Sequence, residues 1–189
     1  MIQYLDDLFV VRDILSKGKT VLMLSDTVWC MMCDAFNPIA VQKINNFKSA
    51  SLKPESFILV ESINTIKTLT DHIHPRIETL LLYHNRPINI IYNAHQETPQ
   101  HLVIDGKLTI RYTKDPLLSD LLKILGNPIY ASPARSDKKS GVFHLDQIEQ
   151  NIKIEMDYIF SMGKNNKSTQ GLATLISFDE NGELIFHRK

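Results

Sequence analysis

Apolar positions recur three and four apart over residues 3–17, where Leu8, Val11 and Leu15 fall on one side and Gly18 supplies a stop. Short apolar runs then replace that period. Residues 20–24 and Phe57–Val60 each predict a buried strand. Between them Asn37-Pro38 predicts a helix start, a capping residue followed by proline at the first helical position. Ile39, Ile44 and Phe47 continue that helix, and a polar loop covers 48–55. Strand, helix and strand in this order predict a right-handed crossover between parallel strands.

The second half repeats the alternation. Residues 63–84 predict two helical pieces broken before Pro75, and 88–92 a strand. Residues 102–104 and 108–110 flank Asp105-Gly106, a two-residue hairpin signal. Asp115-Pro116 opens a helix with a stripe of Leu118, Leu121, Leu122 and Leu125, closed by Gly126 and Pro128. A strand at 129–131 leads into a polar loop, 132–141. A helix near 146–153, a strand at 158–160 and a polar loop at 164–168 follow. Residues 172–178 and 184–186 predict a last hairpin across Asn181-Gly182. The pattern predicts one α/β domain, a mixed, twisted sheet with helices packed on it.

Composition narrows the function classes. At 189 residues, 43% hydrophobic and 22% charged, the chain can bury a sizeable core without disulfides. Acidic and basic residues balance at 21 each, which argues against a chain whose main task is coating nucleic acid. Asp6 and Asp7 stand where a leader would carry lysines, and no apolar run approaches the ~20 residues of a membrane span. The two cysteines lie three apart, in keeping with a reducing, cytoplasmic setting.

Trp29-Cys30-Met31-Met32-Cys33 is the first chemical candidate. A Trp-Cys-x-x-Cys after an apolar strand is a thioredoxin-like redox signal. The competing reading is a pair of buried core thiols, because Asn37-Pro38 starts the helix after the motif. A zinc site from Cys30, Cys33, His72 and His74 has the right ligand types but not finger spacing, so no structural metal is expected. Loops at 25–27, 48–53, 132–141 and 164–169 lie at strand ends, where open α/β sheets bind ligands. No Walker or Rossmann glycine pattern accompanies them.

Taken in order, these segments resemble the YrdC/YciO family, the threonylcarbamoyl-AMP synthases. The family's opening Pro-Thr-(Asp/Glu)-Thr-x-Tyr-Gly-Leu stands here as Leu24-Ser25-Asp26-Thr27-Val28-Trp29-Cys30-Met31, with Asp34 closing it. Its Lys-x-Arg is Lys48-Ser49-Ala50, and its Trp-Pro-Gly-Pro segment is His84-Asn85-Arg86-Pro87-Ile88-Asn89. Its strand arginine is Arg111, and its Ser-Thr-Ser-Ala-Asn is Ala131-Ser132-Pro133-Ala134-Arg135. Its closing Pro-Ser-Thr-Ile is Leu172-Ala173-Thr174-Leu175.

The resemblance implies a single YrdC-like domain over 1–189, a twisted mixed β-sheet with flanking helices around a large concave cavity. It implies ATP as substrate, with Mg, together with L-threonine and bicarbonate. The product would be threonylcarbamoyl-AMP, used by partner proteins to modify tRNA. It also carries an association with tRNA or double-stranded RNA. The nucleotide- and threonine-binding set it implies is Ser25, Thr27, Lys48, Arg111, Ser132, Arg135 and Thr174. Four positions depart from the pattern: Ala50, Pro133, Arg135 and Ala173. They predict weakened or lost catalysis, or a non-catalytic nucleotide- or RNA-binding paralogue. A thiol oxidoreductase built on Cys30 and Cys33 is the third reading.

Overall fold

Among the described residues nine strands form one mixed sheet, in the order Tyr158–Phe160, Val21–Leu24, Trp29–Asp34, Ile129–Pro133, Phe57–Val60, Lys107–Tyr112, Ile88–Asn93, Thr174–Phe178 and Leu184–Arg188. The computed structural model describes residues 2–47, 55–135, 142–160 and 172–188. In chain order the elements are α1 (Ile2–Ser16), β1 (Val21–Leu24), β2 (Trp29–Asp34), α2 (Pro38–Asn45) and β3 (Phe57–Val60). Next come α3 (Ile63–Leu69), α4 (Pro75–Tyr83), β4 (Ile88–Asn93), β5 (Lys107–Tyr112), α5 (Pro116–Leu125) and β6 (Ile129–Pro133). The chain continues through α6 (Gln150–Glu155), β7 (Tyr158–Phe160), β8 (Thr174–Phe178) and β9 (Leu184–Arg188).

Local chemistry sets most element ends. The Asn37 side chain accepts from the Ala40 amide and Pro38 follows it. Asp115 accepts from the Leu118 amide ahead of α5, and Gly126 ends that helix at φ 76°, a conformation that favours glycine. The 63–84 segment breaks where expected, with Pro75 opening α4. The final hairpin turns at Asn181-Gly182, and Phe178 pairs with Leu184.

Three expectations are corrected. The crossover does not join 20–24 to 57–60. Residues 29–34 form a strand of their own, and β1 pairs antiparallel with β2. The strands linked through α2 are β2 and β3, which run parallel with β6 antiparallel between them. β2 escapes the alternation rule because both its sides are buried, so it reads as an unbroken apolar run. The Asp105-Gly106 hairpin shrinks to one bridge, Ile104 to Lys107, because β5 takes β3 and β4 as partners. The helix near 146–153 divides into a 3-10 turn, Leu145–Gln147, and α6.

Two apolar layers sandwich the sheet, and alternation along the strands assigns residues to each. Leu22, Met31, Cys33, Ile58, Val60, Ile90, Ile110 and Ile176 face one layer, closed by α2, α3, α4 and α6. Val21, Met23, Cys30, Met32, Phe57, Leu59 and Ile129 face the other, covered by Leu8, Val11 and Leu15 of α1 and Leu118, Leu121 and Leu122 of α5. That second layer draws nothing from β4, β5, β8 or β9 among the described residues. The two helices therefore cover only half of their side of the sheet. Among the described residues the half over β5, β4, β8 and β9 is left open, and Ile91, Thr109 and Leu175 are only partly buried there.

One ion pair ties β7 to the body. Asp157 accepts from the Thr20 amide at 2.8 Å, the Thr20 hydroxyl at 2.7 Å and Lys43 Nζ at 3.0 Å. Burial alone would raise its pKa. The Thr20 donors and Lys43 outweigh that effect and hold it down, from 3.8 to about 2. A depressed carboxyl stabilises above its unfolded pKa and loses that contribution as pH falls through the folded value. Wild type is therefore expected to be more stable than Asp157→Asn at pH 6. The difference should shrink through the window from 3.8 to about 2 and vanish below it, read by thermal unfolding at each pH. A gap that persists unchanged below that window would place the effect in packing instead.

Candidate anion-binding site

The open half-face ends in a row of residues that the sheet register aligns. Arg188 pairs with Leu175, Leu175 with Asn89, and Arg111 stands opposite Asn89 because Ile90 pairs with Ile110. Arg111 is 2% exposed. Its Nε donates to Asn89 Oδ1 at 2.7 Å, and its Nη1 donates to Asp26 Oδ1 at 2.5 Å and Thr27 Oγ1 at 3.0 Å. Its guanidinium carbon lies 3.9 Å from the centre of the Phe57 ring, a stacked cation–π contact. The turn between β1 and β2 supplies Asp26 and Thr27. The Ser25 hydroxyl fixes that turn by donating to Val28 O at 2.7 Å, and it lies 3.2 Å from the Thr27 hydroxyl.

A second pair closes the other rim. Arg135 Nη2 donates to Glu55 Oε2 at 2.6 Å. Ser56 beside it donates to the Ser132 hydroxyl at 3.0 Å, which staples the entrance of β3 to β6. Arg188 Nε donates to the Ala173 carbonyl at 3.1 Å. The Arg188 pKa is held below its ordinary value by burial first. The Glu55 carboxylate opposes this, and the like charges of Arg111 and Arg135 add to it. Arg188 therefore lies within electrostatic reach of the Arg111 and Arg135 guanidiniums and of the Glu55 carboxylate.

Two cavities flank the row. One, about 540 Å3, opens where β3 starts beside β5, between Phe57, Ile91, Thr109 and Leu175. It extends to Asn45 and Tyr130 on the far side of the sheet. Burial, first of all, raises the pKa of Tyr130, whose hydroxyl donates to Asn45 Oδ1. The other cavity, about 200 Å3, lies between Asp26, Arg86, Tyr112 and Lys114. The turn of the opening motif, the 84–89 segment and the Arg111 strand thus meet in space.

The expected site residues divide. Ser25, Thr27 and Arg111 form one hydrogen-bonded group, and Arg135 joins the same half-face. Ser132 is in the row of Met31, whose side chain belongs to the opposite apolar layer, and it bonds Ser56 there. Thr174 pairs with Ile88, also in the opposite layer, so Ala173 and Leu175 are the positions on the Arg111 side. Lys48 and Ala50, and the loop expected at 164–169, lie outside the described residues. Sequence reasoning missed Asn89, Glu55 and Arg188 as members of the site. Only Asn89 carried a signal, as the last residue of the 84–89 segment.

The redox and zinc readings fail on geometry. Cys30 and Cys33 are three apart on one extended strand, so they face opposite sides, Cys30 in one apolar layer and Cys33 in the other. Burial, with a smaller push from Asp34, raises the Cys33 thiol far above its ordinary pKa, the reverse of an activated thiolate. Among the described residues no group of three or more His, Cys, Asp or Glu is placed to hold a metal ion. Diamide treatment of the folded protein is expected to leave both thiols titratable after unfolding. Loss of 2 Da by mass spectrometry would overturn the opposed-face geometry.

The fold and site define an α/β domain that holds paired arginines over half of one sheet face. The Sua5/YciO/YrdC family model, described as "Telomere recombination", matches residues 13–186. The chain belongs to that family. It is similar to the threonylcarbamoyl-AMP synthase of Moraxella catarrhalis, 28% identical over 137 residues, 65% of this chain and 66% of that protein. Its fold matches P. abyssi Sua5 complexed with L-threonine at TM-score 0.81 and 17% identity, over 95% of this chain and 52% of that one. It also matches full-length HypF in a phosphate- and nucleotide-bound form at TM-score 0.80 and 18% identity, over 95% and 28%. The chain thus spans about two thirds of the curated relative and smaller shares of the two solved structures. No helix among the described residues is long and apolar enough to cross a membrane.

Proposed function

We propose that the open half-face binds L-threonine and ATP, the latter with Mg, in the manner of a threonylcarbamoyl-AMP synthase whose catalytic step is slow. The observation that carries this is the convergence of Arg111, Arg135 and Arg188 on one half-face beside Thr27 and Asn89. A guanidinium suits carboxylate and phosphate alike, through parallel donors in one plane. Arg111 spends Nε and Nη1 within the protein, which fixes its plane and leaves Nη2 for a ligand carboxylate. Arg135, Arg188 and Lys48 are the cations for phosphate.

Chemistry at such a site is positioning and charge neutralisation as pyrophosphate leaves. Among the described residues Asp26 meets Arg111 and Glu55 meets Arg135 before any ligand arrives. That balance supports binding with weak stabilisation of a triphosphate. The reading places no tRNA or double-stranded RNA on this half-face. RNA backbones are met by exposed basic surface, whereas these arginines are wholly or half buried. Titration calorimetry with L-threonine and with ATP–Mg tests the proposal. Saturable binding of both is expected, with threonine-dependent release of pyrophosphate. Binding of neither would sink it.

A further inference from the structure

We propose that Glu55 is a built-in competitor for the anion that Arg135 would bind, and that it weakens the site's hold on anions, highly charged ones most of all. The proposal rests on reading the half-face as an anion site. Arg135 stands where the family pattern has a neutral asparagine, so this chain has brought an extra cation into the site. The cation is not offered bare. Its Nη2 donates to Glu55 Oε2 at 2.6 Å. The arginine side chain is 6% exposed and the glutamate 23%, so the carboxylate is the more accessible partner.

The backbone holds Glu55 in that place. It directly precedes Ser56, which bonds Ser132, and Phe57, which pairs with Ala131 of the strand leading to Arg135. Both partners therefore start from backbone next to paired strand residues, and the more exposed glutamate is the one expected to turn aside. An incoming anion meets a carboxylate where it would itself bind. Any anion must displace the same ion pair, so that cost is common to carboxylates and phosphoryl groups. A phosphoryl group, with up to two charges, is also repelled more strongly by the carboxylate once it has turned aside, and Arg188 feels the same carboxylate.

The test compares wild type with Glu55→Gln, using inorganic pyrophosphate and acetate as probes in titration calorimetry. Glu55→Gln is expected to lower the Kd for pyrophosphate by about tenfold or more, the effect of removing one nearby negative charge at a protein surface. Pyrophosphate should gain in Glu55→Gln by at least the factor that acetate gains, because the displacement cost is common to both and the more highly charged anion also escapes more repulsion. Glu55→Asp, which draws the carboxylate back and keeps the charge, should fall between and covers the case where Glu55→Gln does not fold. The double variant Glu55→Gln, Arg135→Gln should lose the gain. Pyrophosphate affinity unchanged or weakened in Glu55→Gln overturns the proposal, as does a gain that survives loss of Arg135. Pyrophosphate release by a wild type whose affinity Glu55→Gln leaves unchanged would spare the synthase reading and sink this one. A gain in a protein that never turns over would do the reverse.

Discussion

Arg111→Met is expected to cost about 3–5 kcal/mol of stability and to abolish threonine binding. The guanidinium is buried, and it is the partner of Asp26, Asn89 and Thr27 at once. Methionine fills much of the volume and supplies no donor. Asp26, with a side chain only 12% exposed, would then hold a carboxylate without its cation, and Asn89 Oδ1 would lose its donor. Uncompensated buried charge is the expensive part, more than the loss of the pair itself. The double variant Arg111→Met, Asp26→Leu is therefore expected to recover most of the stability and none of the binding. Urea unfolding gives the first quantity and calorimetry the second. A cost below ~1 kcal/mol, the range of an exposed ion pair, would show that solvent already reaches the pair.

Threonine-dependent pyrophosphate release is expected to run about 10²–10⁴ slower than in a family member with an intact motif set. Ala50, Pro133, Arg135 and Ala173 replace side chains that the family pattern supplies. Losing a hydrogen bond to a charged group costs about 1.5–3 kcal/mol, and two such losses span that range of rates if they add. Contacts within one site are often not additive, so the range is wide. The structure sharpens which positions matter. Pro133 and Ala173 share the Arg111 side of the sheet, whereas Ser132 and Thr174 lie in rows that belong to the other side. Pro133→Ser and Ala173→Ser together should recover part of the rate, and Ser132→Ala should leave kcat unchanged apart from stability. Turnover equal to an intact relative would show that Arg135 and Arg188 have replaced the missing contacts.

Residue sequence by itself determined what acts over a few positions. Asn37-Pro38, Asp115-Pro116, Gly126 and Asn181-Gly182 set helix starts, a helix stop and a turn, because each satisfies or shapes backbone within one turn of itself. The alternation of strands and helices gave the α/β class. The order of weak motifs gave the family, since collinearity survives when single residues drift.

The tertiary structure decided everything that depends on partners distant in the chain. Which strands pair was not written in any one of them, so β2 went unrecognised and the crossover was assigned to the wrong strand. Asp105-Gly106 made its turn, but β5 gained more by pairing with β3 and β4 than with the short segment before it. Cys30 and Cys33 allowed a redox motif or two buried core thiols in sequence, and the extended backbone, which buries them on opposite sides, decided for the second. Arg111 and Asp26 are 85 residues apart, and Arg135 and Glu55 are 80 apart. A charge in sequence has no partner until the sheet supplies one. The chain order marked where the arginines stand, and only the packed sheet decided that each of two would meet a carboxylate before any ligand did.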